Sequence, residues 1–395
     1  MRGSTPYLRD KTPYPAAALA AGDPLLRGDS VQNGMSDHDG SATELRVALA
    51  GYGLAGAAFH APLVAATEGL ELASVVTRSQ ERRGELGRAF PDARAVDALS
   101  DALEDCDVVV IASPNRFHAA LAHEAIAAGK HVVIDKPVAV TAREARELRD
   151  AAAAAGVVAA AFHNRRWDDD FLTLRRELDA GRLGRVVTFE SRFDRFRPQV
   201  KEGAWRENAD PADGGGLLLD LGSHLVDQAI QLFGAPATVY AELDVRRAGA
   251  AVEDDVFVAL EHPGGVRSHL YAGVFAADAP ARFRVLGERG ALLFYGLDHQ
   301  EPQLRAGLRP GDRGWATRET GDSDGAWWHD GSGAVEPVAM APGAWDSYYA
   351  GVVRTIRDRS GDTPPPVTLD DAIGVLDVLE AARDSAARGT VVALG

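Results

Sequence analysis

The chain has 395 residues and one cysteine, Cys106. A lone thiol cannot close an intramolecular bridge, and no metal-type cysteine spacing exists. Cys106 stands just before an apolar run, so an inert buried thiol is expected, which fits a reducing, cytoplasmic setting. No stretch approaches 18 uninterrupted apolar residues, so no transmembrane helix is expected. Excess positive charge is also missing. The formal net charge of −16 argues against nucleic acid or anionic membranes as partners. It also repels anionic substrates unless a local basic cluster overrides it. No internal repeat or low-complexity array is visible. What is present is 46 % hydrophobic and 25 % charged residues, an ordinary globular composition with length for two or three domains.

Residues 1–43 are rich in Pro, Gly, Ala and Asp without a sustained period, and read as a disordered tail. "AAALAAG" (16–22) is too short and too weakly apolar for a secretory segment. "MSDHDGSATELRVALAGYG" is a more usual lead into a first strand, which makes Met35 an alternative start of translation. From residue 44 strands and helices alternate. Strands are expected at 45–50, 70–77, 107–113, 131–135 and 157–162. Helices are expected at 54–66, 78–90, 116–128 and, opened by the capping box Thr141-x-x-Glu144, to about 155. This pattern predicts an α/β fold with a Rossmann-type, doubly wound parallel sheet over 44–164.

Residues 165–395 read differently, as an α+β domain with an open, mainly antiparallel sheet for substrate and oligomerisation. A helix at 168–180 is followed by alternating strands at 186–193, 238–246, 255–262, 266–275, 282–288 and 291–296, with a helix at 214–233 between them. Residues 297–345, holding Trp315, Trp327, Trp328 and Trp345, show no regular pattern; so long a segment is either functional or disordered. Trp327, Trp328 and His329 are read as a lid over substrate, an interface patch or loop anchors. Two helices, about 345–358 and 369–387, finish the chain, the second with the option of packing back on the first domain.

Gly51-x-Gly53-x-x-Gly56 follows the first strand and opens a helix, the context in which this spacing binds a dinucleotide. Gly51 permits the turn, Gly53 lets backbone approach a pyrophosphate, and Gly56 lets helix pack on sheet. Leu54 and Ala55 share the turn, and the helix N-terminus offers free N–H groups to phosphate. The alternative is a tight turn without a nucleotide. NAD binders usually carry an acidic residue at the end of the second strand. Here that strand ends Thr77-Arg78-Ser79, with Arg82 and Arg83 a turn further on, and no carboxylate follows until Glu81. Arg78 suits adenine stacking and a 2′-phosphate, and Thr77 and Ser79 supply hydroxyls, so NADP is favoured and NAD remains possible. Lys136 sits at the carboxyl end of a strand, before Pro137, where it can donate to a substrate hydroxyl; for Lys-Pro read alone, the surface lysine is the stronger reading. In "DGGGLLLDLGSHLVDQAIQLFG", Asp220, His224, Asp227 and Gln231 share one helical face opposite Leu218, Leu221, Leu225, Ala229 and Leu232. Asp220 and His224 are i,i+4 neighbours, on either a catalytic face or a solvated one. One helix with one histidine gives no convincing metal site.

The set GYGLAG, SPNRFH, AGKHVVIDKP and GGGLLLDLGSH, in order over about 44–390, resembles the Gfo/Idh/MocA family of NAD(P)-dependent oxidoreductases. Asp135 stands where the family usually has Glu in its Glu-Lys-Pro segment. "FHAPL", "HNRRWDDDFLTLRRELDAGRLG" and "FESRFDRFRP" look like the branch containing NADP-dependent scyllo-inositol dehydrogenases. The resemblance implies that Lys136 is the catalytic lysine, His224 the acid/base, and Asp220 its substrate-binding carboxylate partner. It further implies that Ser113, Pro114, Asn115 and His118 contact the cofactor, with Asn164 and Arg165 on the nicotinamide side. His118 reads almost as well as helix N-terminal structure. The implied activity is hydride transfer between NADP(H) and a secondary alcohol of a cyclic polyol or sugar, inositol-like. His224 would act as base, Lys136 would steady the alkoxide, and Asp220 would orient substrate and support the imidazolium. The implied assembly is a homodimer or homotetramer through the open sheet face. Two rivals are a non-catalytic dinucleotide-sensing regulator and an NAD-dependent glycosidase that recycles its cofactor.

Overall fold

The computed structural model describes residues 43–200, 214–318 and 324–395; the expected tail and Met35 lie outside the described residues. Continuous apolar runs build the first sheet. Its strands are β1 (Leu45–Ala50), β2 (Leu70–Val76), β3 (Arg94–Val96), β4 (Val108–Ile111), β5 (His131–Asp135) and β6 (Ala159–Phe162). All pair in parallel, in the order β3-β2-β1-β4-β5-β6. Helices on both faces bury β4 completely, which is why "VVVI" carries no alternation. The order reverses between β1 and β4, so the turns that follow these two strands face one crevice, where such sheets bind ligands. β3 is an addition to the expected pattern: three residues are too few to show a period. Cys106 is buried, and burial pushes its thiol up.

The second sheet comprises β7 (Val186–Asp194), β8 (Thr238–Asp244), β9 (Asp255–Glu261), β10 (Arg267–Gly273), β11 (Phe283–Gly287), β12 (Gly290–Tyr295), β13 (Gly325–Asp330), β14 (Val335–Val338) and β15 (Val392–Ala393). Its order is β14-β13-β12-β11-β7-β10-β9-β8-β15, antiparallel except where β7 meets β10. Val256, Val258 and Leu260 of β9 alternate inward, and the helices Ser223–Phe233 and Leu369–Arg388 pack on this sheet. The 297–345 segment is not structureless. It holds the helix Gln300–Arg305 and the β13–β14 hairpin, so Trp327, Trp328 and His329 are sheet residues and not a lid. Trp328 packs under the Arg182 guanidinium, 4.9 Å from its ring centroid. The helix Leu369–Arg388 also joins the first sheet's layer through Arg146–Asp377 (2.6 Å) and Ala142 N–H to Glu380 (2.7 Å).

Candidate active site

The carboxyl ends of β1, β2, β4 and β5 open on a groove of about 400 Å³, within the size range of small-molecule clefts. Residues 51–55, Val76, Thr77, Arg82, residues 112–115, Asp135 and Lys136 line it. The three glycines do three different things. Gly51 has φ +110°, and a Cβ there would stand 2.6 Å from the Ala112 carbonyl oxygen. A Cβ on Gly56 would stand 2.1 Å from the Gly51 oxygen. A Cβ on Gly53 would meet nothing within 4 Å. The chain therefore needs Gly51 and Gly56 for itself, whereas Gly53 faces open groove. This fits a pyrophosphate, whose close approach a methyl group would block.

At the β2 end, no carboxylate of that strand terminus lines the groove. Arg82 does line it, with its guanidinium 2.8 Å from Glu85. Arg78 instead donates to the Asp97 carbonyl (3.2 Å) and is not among the lining residues. The Ser79 hydroxyl accepts from the Arg82 N–H as a helix cap. Arg82, read in the sequence only as added charge, thus lines the groove where Arg78 does not.

At the β5 end, Lys136 lines the groove and reaches the second domain. Its Nζ donates to the Asp220 carbonyl (2.5 Å) and to Asp220 Oδ1 (3.0 Å). Lys136–Pro137 is a cis peptide. Asp220 lies in a π-turn, Leu218–Gly222, which inserts one residue into the helix and shifts the face read from a 3.6-residue period. The structure accordingly sets Asp220 against Lys136, not simply one turn below His224. The middle of that face is not solvated: His224 and Asp227 are 5 % and 2 % exposed, whereas Gln231 at the helix end is exposed. A second π-turn, Gly56–His60, ends on a buried histidine that sequence reasoning passed over. His60 Nδ1 lies 2.7 Å from the Tyr349 hydroxyl, and its Nε2 lies 3.6 Å from Asp135. Burial opposes the Asp135 charge, yet His60, Lys136 and His118 together hold its carboxyl below the usual range.

His118 does not face the groove. Its ring nitrogens lie 2.8 Å from the Pro137 and Ser113 carbonyls, so it braces the turn after β4 against the one after β5. Asn115 Nδ2 donates to the Gly214 carbonyl (2.8 Å), tying the groove to the second domain. Asn164 and Arg165, both buried, lie outside the groove lining. Arg165 bonds Asp168 (3.0 Å) and Glu301 (3.3 Å) and stacks on Phe193, 5.0 Å from its centroid. His224 packs against Phe193 and, edge to face, against His163. Burial first, then Lys136, Arg165, His163 and Arg282, holds His224 well below the ordinary histidine range. Its imidazole is thereby a neutral base at neutral pH. Among the described residues no His, Cys, Asp and Glu group could hold a metal, and no helix is long and apolar enough to cross a membrane.

A Rossmann sheet with a glycine-lined groove, and a lysine reaching from it to a helix that carries a buried histidine, defines an NAD(P)-dependent oxidoreductase. Residues 45–163 match the oxidoreductase-family NAD-binding Rossmann fold, and residues 171–293 match the GFO/IDH/MocA C-terminal domain. The chain is 42 % identical over 353 residues to the uncharacterized oxidoreductase YdgJ of Escherichia coli, covering 87 % of this chain and 96 % of that one. It is 34 % identical over 344 residues to the scyllo-inositol 2-dehydrogenase (NADP(+)) IolW of Bacillus subtilis, covering 86 % and 93 %. An oxidoreductase structure from Bacillus cereus superposes with TM-score 0.77 at 27 % identity, covering 89 % and 99 %. The chain belongs to the Gfo/Idh/MocA family of oxidoreductases.

Proposed function

We propose that the chain oxidises a secondary alcohol of a cyclic polyol or sugar, inositol-like, with NADP⁺ as the hydride acceptor. The observation that carries this reading is Lys136. It lines the groove and bonds Asp220, on the helix that presents His224. The turn over residues 51–55, with Gly53 as its open position, would hold the pyrophosphate, and Thr77 and Arg82 the 2′-phosphate. When bound, the nicotinamide supplies the acceptor for the hydride of the carbinol carbon. His224, uncharged, takes the hydroxyl proton. Lys136 steadies the negative charge growing on oxygen, and Asp220 fixes where its ammonium points. The name of the relative IolW supports both the polyol and the NADP choice. The outer face of the second sheet carries a half-buried Phe257–Tyr271 pair with Arg192 over Tyr271. It is the proposed contact between copies of this chain, measurable by sedimentation. The deciding experiment is a screen of polyols and sugars with NADP⁺ and NAD⁺, read at the reduced-nicotinamide band, with nucleotide binding measured in parallel. The expected result is NADPH formation with a cyclic polyol or sugar; binding of nucleotide without reduction by any of them rejects the reading.

A further inference from the structure

We propose that His60 is a positioning residue for Lys136: its ring holds the Asp135 carboxylate, and that carboxylate pins the Lys136 backbone. This rests on the alcohol-oxidation reading above. Contacts on both sides of the ring place it there. His60 closes the π-turn Gly56–His60, which begins at the third glycine of the motif, and its side chain is fully buried. Nδ1 lies 2.7 Å from the hydroxyl of Tyr349, on the helix Asp346–Arg357. Nε2 faces Asp135 Oδ2 at 3.6 Å, beyond hydrogen-bond length but within ion-pair reach. The other oxygen, Oδ1, accepts from the Lys136 backbone N–H at 2.8 Å. The Lys136 ammonium in turn meets Asp220 of the second domain. A line of contacts therefore runs from Tyr349 through His60 and Asp135 to the lysine, and it ties the turn beneath the cofactor groove to the strand end that carries the ammonium.

The chemistry of the two partners fixes where the ring proton sits. Asp135 is a carboxylate, its charge favoured by His60, Lys136 and His118 against the opposing effect of burial. An ionised carboxylate only accepts, so the ring must present N–H at Nε2. Nδ1 of the neutral ring is then an acceptor, and the Tyr349 O–H donates to it. Packing alone does not explain an imidazole here. The ring lies against Phe162, 4.4 Å between centroids at 49°, and edge to face with Tyr349. An apolar ring would fill that space as well. Yet Nε2 is buried with no hydrogen-bond partner, and such atoms in native structures call for a reason. What the imidazole adds over an apolar ring is an N–H facing the carboxylate. Drawn toward His60 by one oxygen and bonded to the Lys136 N–H by the other, the carboxylate is restrained on both sides. Lys136 then starts from a fixed backbone when its ammonium steadies the charge growing on the substrate oxygen.

The test compares the wild-type chain with three variants. His60→Phe keeps a ring without a donor, His60→Gln keeps an amide N–H at about the reach of Nε2, and Tyr349→Phe loses only the hydroxyl. Thermal melting checks that each folds, and steady-state assays at saturating NADP⁺ read kcat and the KM for the alcohol. A misplaced lysine lowers kcat of His60→Phe about tenfold or more at unchanged KM, and His60→Gln stays within about threefold of wild type. A kcat for His60→Phe within about twofold of wild type, or an equal loss in Phe and Gln, overturns the proposal. Should His60→Phe fail to fold, Tyr349→Phe decides: without the donor that fixes the ring proton, kcat falls about threefold or more, and an unchanged kcat overturns the proposal. Imidazole nitrogen NMR of the wild-type protein needs neither variant nor substrate. His60 should carry a proton on Nε2; a ring protonated on Nδ1 alone overturns the proposal. If the wild type oxidises no polyol or sugar, the functional reading fails, while the position of the His60 proton still judges its tie to Asp135. If it oxidises one and His60→Phe is as fast, the reading stands and this proposal falls.

Discussion

Gly53 and Gly56 are three positions apart in one motif, yet replacing them should break different things. Gly56→Ala drives a Cβ to 2.1 Å from the Gly51 carbonyl oxygen. Backbone must shift, and overpacking of this kind costs about 1–3 kcal/mol. Gly53→Ala meets nothing in the chain. It should melt like wild type without nucleotide and bind NADP about tenfold or more weakly, roughly the 1.4 kcal/mol of one blocked approach. Thermal melting and nucleotide titration of both variants check this; a Gly53→Ala protein with undiminished affinity would remove the pyrophosphate from that turn. The glycines could be picked out in the sequence by their spacing after a strand, whereas Lys136 and His224, ambiguous by position alone, could be picked out by the family resemblance. His60, His163 and the groove-lining position of Arg82 could not. Each acquires its place through residues far away in the chain, Tyr349 and Asp135 for His60 and the β5–β6 register for His163.

At the scale of elements, local chemistry was readable wherever it acts locally. Thr141 accepts from the Glu144 N–H while the Glu144 carboxylate accepts from the Thr141 N–H, so the helix Ala142–Ala155 begins where the capping box places it. Thr141→Ala should therefore cost about 1 kcal/mol and Thr141→Ser much less. Urea midpoints give the comparison; equal midpoints for Ala and Ser would leave the cap without energetic weight. Elements that depend on partners were harder to see. The β13–β14 hairpin turns on Asp330, whose Oδ1 accepts from Ser332 and Ala334 N–H groups. Its strands carry no clean alternation, because they lie near a sheet edge against β12. The π-turns at Gly56–His60 and Leu218–Gly222 leave no mark in periodicity, yet both end up beside Lys136 or its neighbour Asp135.

For the whole molecule, the alternation of strand and helix announced a parallel sheet followed by an antiparallel one, but not how the two are joined. Part of that junction is ionic and buried. Arg166, just beyond β6, meets Asp227 of the Ser223–Phe233 helix at 2.6 and 3.0 Å, and Asp371 of the last long helix at 3.5 Å. The Arg166 and Asp227 side chains are 9 % and 3 % exposed. Taking two charges out of water offsets much of their attraction, so the pair as a whole contributes little net stability. Removing Asp227 is another matter, because Arg166 stays buried with only its longer contact to Asp371. Asp227→Ala should accordingly lose about 3–5 kcal/mol, read by urea unfolding of the full chain. Pairing Arg166→Met with Asp227→Leu should recover most of it, since neither charge then remains. If the single variant unfolds at the wild-type midpoint, water reaches Arg166 and the junction is held by apolar packing alone. If the double variant is as unstable as the single one, shape rather than charge is what Asp227 supplies there.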